Sequence, residues 1–351
     1  MIAIGTAGQL VAILPLEAVI GYPMAMLRLV GHPVIAFGRL IETGERHWNH
    51  GRPARKRVAG IGLLLLLVTV SGGMAWAIAT IAGHGWGTIF VILIATTGLA
   101  QRSLYDHVAA VLRPLKFLPE LVSGRGTARR VVEGSPVPPG CSAVPSTGFA
   151  GPPPRSGEEF LGQARTAASM IVGRDTEALD ESGIAVAAIE SLAESFCDGV
   201  VAPAFWFLIG GLPGLAICKA INTADSIVGH RDARYRDFGW ASARADDLVN
   251  LIPARIAGLL ICIAGAGGLG VMLRDARHHA SPNGGWPEAA MAGVLQRQLG
   301  GAVNYDGEPA ERAILGDGSP PEANDLARAL AVYRRACLLL WLMTGGVAWL
   351  Q

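Results

Sequence analysis

The sequence is poor in charge. Only 16% of its 351 residues are Asp, Glu, Lys or Arg, whereas a soluble domain carries about 25%. Charge is absent from 58–82, 86–100, 256–273 and 336–351, and a helix needs about 20 apolar residues to cross a bilayer. These stretches predict a polytopic membrane protein and disfavour a large soluble protein with buried helices.

Other features are lacking as well. The net charge of +1 gives no argument for binding nucleic acid. The five cysteines form no C-x-x-C pair, which favours small core residues over metal ligands or disulfides. The first 16 residues are uncharged, with no basic segment before them and no A-x-A site after them. They predict a membrane helix rather than a cleaved signal peptide.

The first half of the chain is predicted to contain an initial helix followed by a membrane hairpin of two helices. We expect a helix at about 2–20, a polar loop at 28–57, and paired helices at 58–82 and 87–112. The segment 52–57, "RPARKR", is basic, and so is the segment that follows the hairpin. Because basic loops stay on the cytoplasmic side of a membrane, both are placed there.

The second half is less regular. Residues 134–157 are rich in Pro, Gly and Ser without apolar periodicity, which predicts a disordered insert. Apolar segments at 199–218 and 250–273 flank a charged stretch at 219–247. Pro213 and the Gly210-Gly211 pair suit a broken or re-entrant helix that lines a cavity. We therefore expect one all-α membrane-embedded domain over 1–351, a helical bundle with broken or re-entrant helices around a polar cavity.

Three carboxylates share one helical face in "ESLAESFCDG", residues 190–199. Glu190, Glu194 and Asp198 are spaced at i, i+4 and i+8. Like charges at this spacing repel unless a cation or an arginine compensates them. Ion pairing that merely holds helices together is the alternative, but the shared face favours a functional site.

Further polar clusters occur in "GRDT" (173–176), "NTADSIVGH" (222–230) and "ARADDLVNLIPAR" (243–255). Carboxylate and amide oxygens suit Mg²⁺ carried with phosphates, and arginines suit phosphates or carboxylates. For Arg244 and Arg255, structural ion pairing is an equally good interpretation. The candidates in these clusters are Arg174, Asp175, Asn222, Asp225, Arg244, Asp246, Asp247, Asn250 and Arg255, with Asp198, Asp225 and Asp246 as hypothetical Mg²⁺ ligands.

The turn "SPNGG" (281–285) precedes a helix expected to begin near Pro287, a good first helical residue. Free N–H groups at such a turn can hold an anion, which makes Ser281 and Asn283 candidate binding residues. His278 and His279 could bind a metal, but ordinary surface residues are the favoured interpretation.

Together these stretches resemble one family. The order "GHPVIAFGRLIE", "QRSLYDHV", "MIVGRDT", "ESLAESFCDGVVAPAFW", "GGLPG", "NTADSIVGH", "FGWASARADDLVNLIPAR" and "SPNGGWPEAAMAG" is similar to that of the adenosylcobinamide-phosphate synthases (CbiB/CobD) of cobalamin biosynthesis. The likeness runs from about 16 to 350. It departs from the family pattern at Ser195, where the family usually has Asn, and at Glu17, where it has Asp.

The resemblance implies an acid–amine ligase. Such an enzyme uses ATP and Mg²⁺, without a prosthetic group, to join aminopropanol or its phosphate to the free carboxyl of adenosylcobyric acid. It implies a multi-pass protein of the bacterial inner membrane with a cytoplasm-facing site, and it allows homo-oligomers or other corrinoid-assembly enzymes as partners. The implied catalytic set is Glu190, Glu194, Asp198, Asp225, Asp246 and Asp247, with Arg174, Arg244 and Arg255 on the phosphates.

Two other functions stay open. A membrane transferase acting on a diphosphate with Mg²⁺ would use two Asp-rich helices, which "NTADSIVGHRD" and "ARADDLVN" superficially fit. The motifs N-D-x-x-D and D-x-x-D-G-x-x-A-R are absent, however. A secondary transporter would carry an inverted repeat, and the polar clusters instead lie almost wholly in the C-terminal two-thirds.

Overall fold

A computed structural model describes residues 5–21, 33–82, 85–117, 157–230, 232–305 and 308–350, which are mostly helical. The first part contains α1 (Thr6–Ile20), α2 (Pro33–Trp48), α3 (Pro53–Ala82), α4 (Trp86–Thr96), α5 (Gln101–Leu115) and α6 (Gly157–Ser169). The second part contains α7 (Glu181–Phe196), a π-helical turn (Cys197–Val201), α8 (Ala202–Val228), α9 (Trp240–Val249), α10 (Leu251–Gly265), α11 (Leu269–Asp275), a 3-10 turn (Ala276–His278), α12 (Gly285–Leu295), β1 (Leu299–Tyr305), β2 (Glu308–Leu315) and α13 (Ala323–Leu350).

Three described helical stretches are long and apolar enough to cross a membrane. They are Pro53–Ala82, Trp86–Leu115 and Glu181–Val228. The helices α9 and α10, which meet at an angle of 49°, make a fourth if the bent pair is one span. The prediction of a helical chain with membrane-length apolar segments is confirmed to this extent.

Helix α7 lies at the centre of the larger hydrophobic core. Every residue from Ile184 to Ile189 is buried, as expected for a helix that is apolar on all sides and packed all round. It contacts α13, α12, α5 and α6. The side chain of Asp180 caps its start by accepting from Gly183 N at 2.7 Å. The candidate carboxylates therefore stand on a well-supported helix.

A second, smaller core forms where α2 and α3 meet the end of α8. Its buried residues are Ile41, Leu63, Leu67, Ala224, Val228 and Phe238. The prediction of a polar loop over 28–57 is wrong for Pro33–Trp48, which is helical. Its apolar residues Phe37, Leu40 and Ile41 lie along one face that packs on this core, so the segment is an amphipathic helix.

Helix α8 contains a break where the sequence suggested one. Gly211 has a φ of +59° inside the helix and is followed by Pro213. Thr6 Oγ1 donates to Leu208 O at 3.0 Å, so α1 supplies a partner beside the break. Beyond it, the helix continues to Val228. The expected division into 199–218 and a charged connection is therefore wrong, since the motif at 222–228 is helical.

Several boundaries differ from the predictions. Strands β1 and β2 form an antiparallel hairpin that the sequence analysis did not predict. Helix α12 begins at Gly285, so Pro287 is its third residue rather than its first. Helix α13 begins well before 336, because its residues from Ala323 onward pack on the core. The predicted insert at 134–157 lies outside the described residues except at its last position.

Candidate functional site

A cavity of about 720 Å³ lies where α7, α8, α9 and the loop before α12 meet. Most residues predicted from the sequence line it: Arg174, Glu190, Glu194, Asp198, Asp225, Arg244, Asp246, Asp247, Asn250, Ser281 and Asn283. The volume is within the range of small-molecule pockets, about 300–1,000 Å³. The fold thus brings distant polar motifs together at one ligand-sized space.

The three carboxylates of the predicted face all line this cavity. The helix that carries them is irregular, however, because α7 ends at Phe196 and the π-helical turn Cys197–Val201 follows. A π-helical turn accommodates one extra residue and frequently occurs at functional sites. Asp198 lies on this turn, so it does not continue the regular α-helical spacing of Glu190 and Glu194.

Glu190 is compensated by the protein itself. Its Oε2 lies 3.0 Å from Arg174 Nη2 and 2.8 Å from Arg312 Nη1. Its Oε1 accepts a 2.6 Å hydrogen bond from Gly300 N. Both oxygens are therefore engaged, and Glu190 holds Arg174 and the β-hairpin in place. This geometry favours a structural role for Glu190 over the predicted catalytic one.

Arg312 contacts two more residues that the sequence analysis did not place in the site. Its Nη2 lies 3.2 Å from Glu288 Oε2 and 2.9 Å from His279 Nε2. Glu288 is completely buried. Burial, followed by the neighbouring Glu194 and Glu190 charges, raises the pKa of Glu288 well above its usual range, with Arg312 opposing the shift.

His279 lines the cavity and is largely buried, so the preferred interpretation as a surface residue is wrong for it. Burial and then the Arg312 charge lower the pKa of His279. A guanidinium can only donate, so Arg312 donates to Nε2 of the ring. On the other side of the ring, Ser281 N donates to Nδ1 at 3.1 Å, and Ser281 O lies 3.3 Å from the same nitrogen.

The opposite wall of the cavity is acidic and only partly compensated. Asp246 accepts hydrogen bonds from Asn250 Nδ2 at 3.0 Å and from Asn222 Nδ2 at 3.5 Å. Asp247 pairs with Arg244 at 3.1 Å. The Oδ1 atom of Asn250 is buried without a hydrogen-bond partner. We call the residues Asp198, Asp225, Asp246, Asp247 and Asn250 the acidic wall.

No three His, Cys, Asp or Glu side chains within the described ranges converge closely enough to bind a metal ion by themselves. The acidic wall nevertheless suits Mg²⁺ that arrives with phosphates, since such an ion takes one or two carboxylates and keeps water or phosphate oxygens. The partnerless Oδ1 of Asn250, next to Asp246, offers a further oxygen. The donor chemistry therefore fits Mg²⁺, while the closed three-carboxylate site is not preformed.

Asp175, Asn222 and Arg255 were predicted as binding residues but do not line the cavity. Asn222 donates a hydrogen bond to Asp246 without lining the cavity itself. Arg255 donates to Asn283 Oδ1 at 2.9 Å and stacks on Trp286, 4.5 Å from the ring centroid. Asn222 and Arg255 therefore support the wall rather than face a ligand.

The turn before α12 is also supported from within. Ser281 Oγ accepts hydrogen bonds of 3.2 Å from both Asn283 N and Gly284 N. These two amides are therefore not free for an anion, contrary to the expectation for this turn. Asn283 Nδ2 donates to Asp247 O at 2.7 Å, so the turn instead positions the end of α9.

Sequence reasoning missed Arg312, Glu288, His230, Arg236 and Trp240. The last three line the cavity near its exposed side. A lone carboxylate in the otherwise uncharged "GWPEAAMAG" was a usable signal for Glu288, because an isolated charge in an apolar helix needs a partner. His230 lies within the polar cluster predicted at 222–230, whereas Arg236, Trp240 and Arg312 carried no local signal, since only folding brings them to the cavity.

Comparison with known proteins places these motifs in a family. A family model described as "CobD/Cbib protein" matches residues 10–135 and 155–333. "Cobalamin biosynthesis protein CobD" of Rhodobacter capsulatus is 42% identical over 347 residues, covering 97% of each chain. Proteins of the same name from Brucella anthropi and Geobacter metallireducens are 39% and 38% identical, covering 95% and 90% of this chain and 93% and 90% of their own.

No solved structure matches the chain. The family match covers most of the sequence, including every segment that lines the cavity, and the relatives are matched over nearly their full length. The chain belongs to the CobD/CbiB family.

Proposed function

We propose that this protein acts in cobalamin biosynthesis as an ATP-dependent ligase that joins a corrinoid carboxyl group to an amino alcohol. The observation that carries the proposal is the meeting of the family's polar motifs at one cavity, with an acidic wall opposite arginines held by buried carboxylates. Membership of the CobD/CbiB family indicates the pathway, cobalamin biosynthesis. The acidic wall suits the Mg²⁺ ion of a magnesium nucleotide. The substrates are adenosylcobyric acid and aminopropanol or its phosphate.

The protein sits in the bacterial cytoplasmic membrane as a polytopic helical bundle in this proposal. Helix α3 and the α4–α5 pair are spans. The α7–α8 stretch enters the membrane and turns back at Gly211, because Glu190 and Asp225 near its two ends line the same cavity. Exposed Arg52 and Arg55 and half-buried Lys56, around the start of α3, mark the cytoplasmic side. The cavity opens to the cytoplasm, where ATP is available.

In this proposal, different residues of the chain bind Mg²⁺ and the phosphates of ATP. Asp246 and Asn250 present oxygens held by a hydrogen bond of 3.0 Å, and Asp198 and Asp225 offer further carboxylates for Mg²⁺. Arg244, which is exposed and paired only with Asp247 among the described residues, is free to turn toward phosphate oxygens. Bound Mg²⁺ would neutralise charge on the phosphoryl group being transferred.

The reaction needs an activated acid. A carboxylate oxygen of the corrinoid attacks the γ-phosphorus of ATP, the bond to the bridging oxygen breaks, and ADP leaves. The amine nitrogen then attacks the acyl carbon, phosphate leaves with the C–O bonding pair, and the nitrogen loses a proton. A carboxylate of the acidic wall accepts that proton.

A reconstituted assay tests the proposal. The detergent-purified protein is given adenosylcobyric acid, aminopropanol phosphate, ATP and Mg²⁺, and we expect amide product with matching consumption of ATP. A parallel reaction with aminopropanol identifies the preferred amine. Absence of product, together with movement of substrate across liposomes containing the protein, would overturn the ligase in favour of a transporter.

A further inference from the structure

The cavity is too small for all of the proposed substrates. Its volume of about 720 Å³ accommodates one nucleotide-sized ligand. A corrin ring with its amide side arms is much larger than a nucleotide and cannot enter beside ATP. The ring must therefore lie at the mouth of the cavity, with only its carboxyl-bearing arm inside.

The segment 232–240, which we call the rim segment, forms part of that mouth. Arg236 and Trp240 line the cavity and are exposed, and Trp240 is 45% exposed. Among the described residues that line the cavity, Trp240 is the only tryptophan, tyrosine or phenylalanine. It presents the one aromatic carbon face among the described lining residues, beside the aliphatic Ile171 and Val172 and many charged side chains.

The rim segment is firmly attached to α2 and α3. Arg234 makes two 2.9 Å hydrogen bonds to the carboxylate of Glu45, and Arg57 donates to Asp237 at 2.9 Å. Phe238 is buried in the smaller core. Its carbonyl oxygen lies so close to Gly60 that any Cβ there would overlap it.

These anchors hold the neighbouring side chains in place. Because Phe238 is fixed on one side of the rim segment, Arg236 and Trp240 are presented toward the cavity. Arg236 forms no ion pair with a described residue, and the indole N–H of Trp240 likewise donates to no described residue. By contrast, the indoles of Trp206 and Trp341 both have acceptors.

We infer that the rim segment is the docking surface for the corrin ring, with Trp240 under its apolar face and Arg236 at its edge. This rests on the proposed function and adds where its largest substrate binds. A rigid aromatic face suits a broad ring at low entropic cost, and the free donors of Arg236 and Trp240 suit the amide oxygens around the ring. The adenine of ATP is the competing occupant.

Direct binding tests the inference without catalysis. Adenosylcobyric acid absorbs visible light, so its dissociation constant is obtained by ultrafiltration with the purified protein, without ATP or amine. We expect Trp240→Ala to weaken corrinoid binding about ten-fold, as loss of a stacking face does, and Trp240→Phe to restore most of it. Nucleotide affinity, measured by calorimetry, stays unchanged.

Controls separate the possible outcomes. Trp48→Ala removes an indole of similar exposure, 41%, at the end of α2 and away from the cavity, and should leave corrinoid affinity intact. Arg236→Gln, a surface change, should weaken binding even if Trp240→Ala fails to fold. The inference is overturned if both Trp240→Ala and Arg236→Gln bind the corrinoid with unchanged affinity. It is also overturned if these variants weaken nucleotide binding and leave corrinoid binding unchanged. Failure of the wild-type protein to bind the corrinoid or form amide overturns the proposed function as well.

Discussion

Arg312 Nη1 lies 2.8 Å from Glu190 Oε2, and this ion pair joins the β-hairpin to the central helix of the core. Gly300 N, on the other strand, donates to the second oxygen of the same carboxylate at 2.6 Å. Glu288 on α12 meets Arg312 from a third direction. One wall of the cavity is thus held by buried charges that compensate each other.

Replacing Arg312 should destabilise the protein strongly. Arg312→Met leaves Glu190 with Arg174 as its remaining charged partner and leaves Glu288 with only His279, 3.6 Å away. Breaking a buried pair from one side costs about 3–5 kcal/mol. Chemical denaturation in detergent measures the change. Arg102→Met is the matched control, because its pair with Asp106 is about half exposed and should cost less than about 1 kcal/mol. Equal losses in the two variants would contradict a role for the buried cluster.

The stability of the protein should depend on the protonation of His279. Its pKa in the folded state is lowered from 6.5, so the folded protein binds fewer protons than the unfolded chain between that lowered pKa and 6.5. Stability attributable to His279 therefore rises with pH through this window and is lost on acidification. We expect melting temperatures of His279→Gln to fall less than those of the wild type as the pH drops below 6.5. Parallel curves would show that His279 does not titrate in this way.

Much of this organisation could be predicted from local sequence. Charge-free stretches indicated membrane-length helices, and Pro213 beside Gly211 indicated the break in α8. The acidic motifs were predicted to form one site because their chemistry was alike, and Asp198, Asp225 and Asp246 do line one cavity. In each of these cases the signal lies within a few residues of the feature.

What could not be predicted depends on long-range contacts. The hairpin strand that carries Arg312 is defined by its pairing with β1 and by Glu190, 122 residues away. The helix Pro33–Trp48 was predicted as a polar loop, because its few apolar residues are recognised as one buried face only when the smaller core on which they pack is known. Periodicity likewise gave no warning of the π-helical turn at Asp198, since the regular spacing assumes an unbroken α-helix.

Removing a carboxylate of the acidic wall should abolish activity without unfolding the protein. Asp246→Ala and Asp198→Ala each remove an oxygen ligand proposed for Mg²⁺, and we expect amide formation to fall at least about 100-fold. Membrane insertion and detergent-purified yield should be unchanged. Asp106→Ala, a surface change in the pair with Arg102, should retain activity. Full turnover in both wall variants would make these carboxylates structural.

The Glu17 side chain, on α1, caps the start of α5. Its Oε2 accepts from Gln101 N at 2.9 Å and its Oε1 from Arg102 N at 3.2 Å, at the start of α5, where Ala100 offers no side-chain cap. Glu17→Ala leaves buried donors unsatisfied and should cost about 1–3 kcal/mol in unfolding free energy. Glu42→Ala, on exposed α2 surface, is the control. An equally small loss at both positions would refute the capping role.

Gly229 should be required for the position of Asp225. A Cβ at residue 229 would overlap the Asp225 carboxylate and lie 2.6 Å from its backbone oxygen, although the φ of −74° suits any residue. Gly229→Ala therefore forces Asp225 to move, and we expect loss of ligase activity with only a modest fall in melting temperature. Gly62→Ala in α3 meets nothing within 4 Å and should leave activity intact. A carboxylate displaced from the acidic wall could not bind the same ion. If Gly229→Ala keeps wild-type turnover, the assignment of Asp225 to the Mg²⁺ site is therefore wrong.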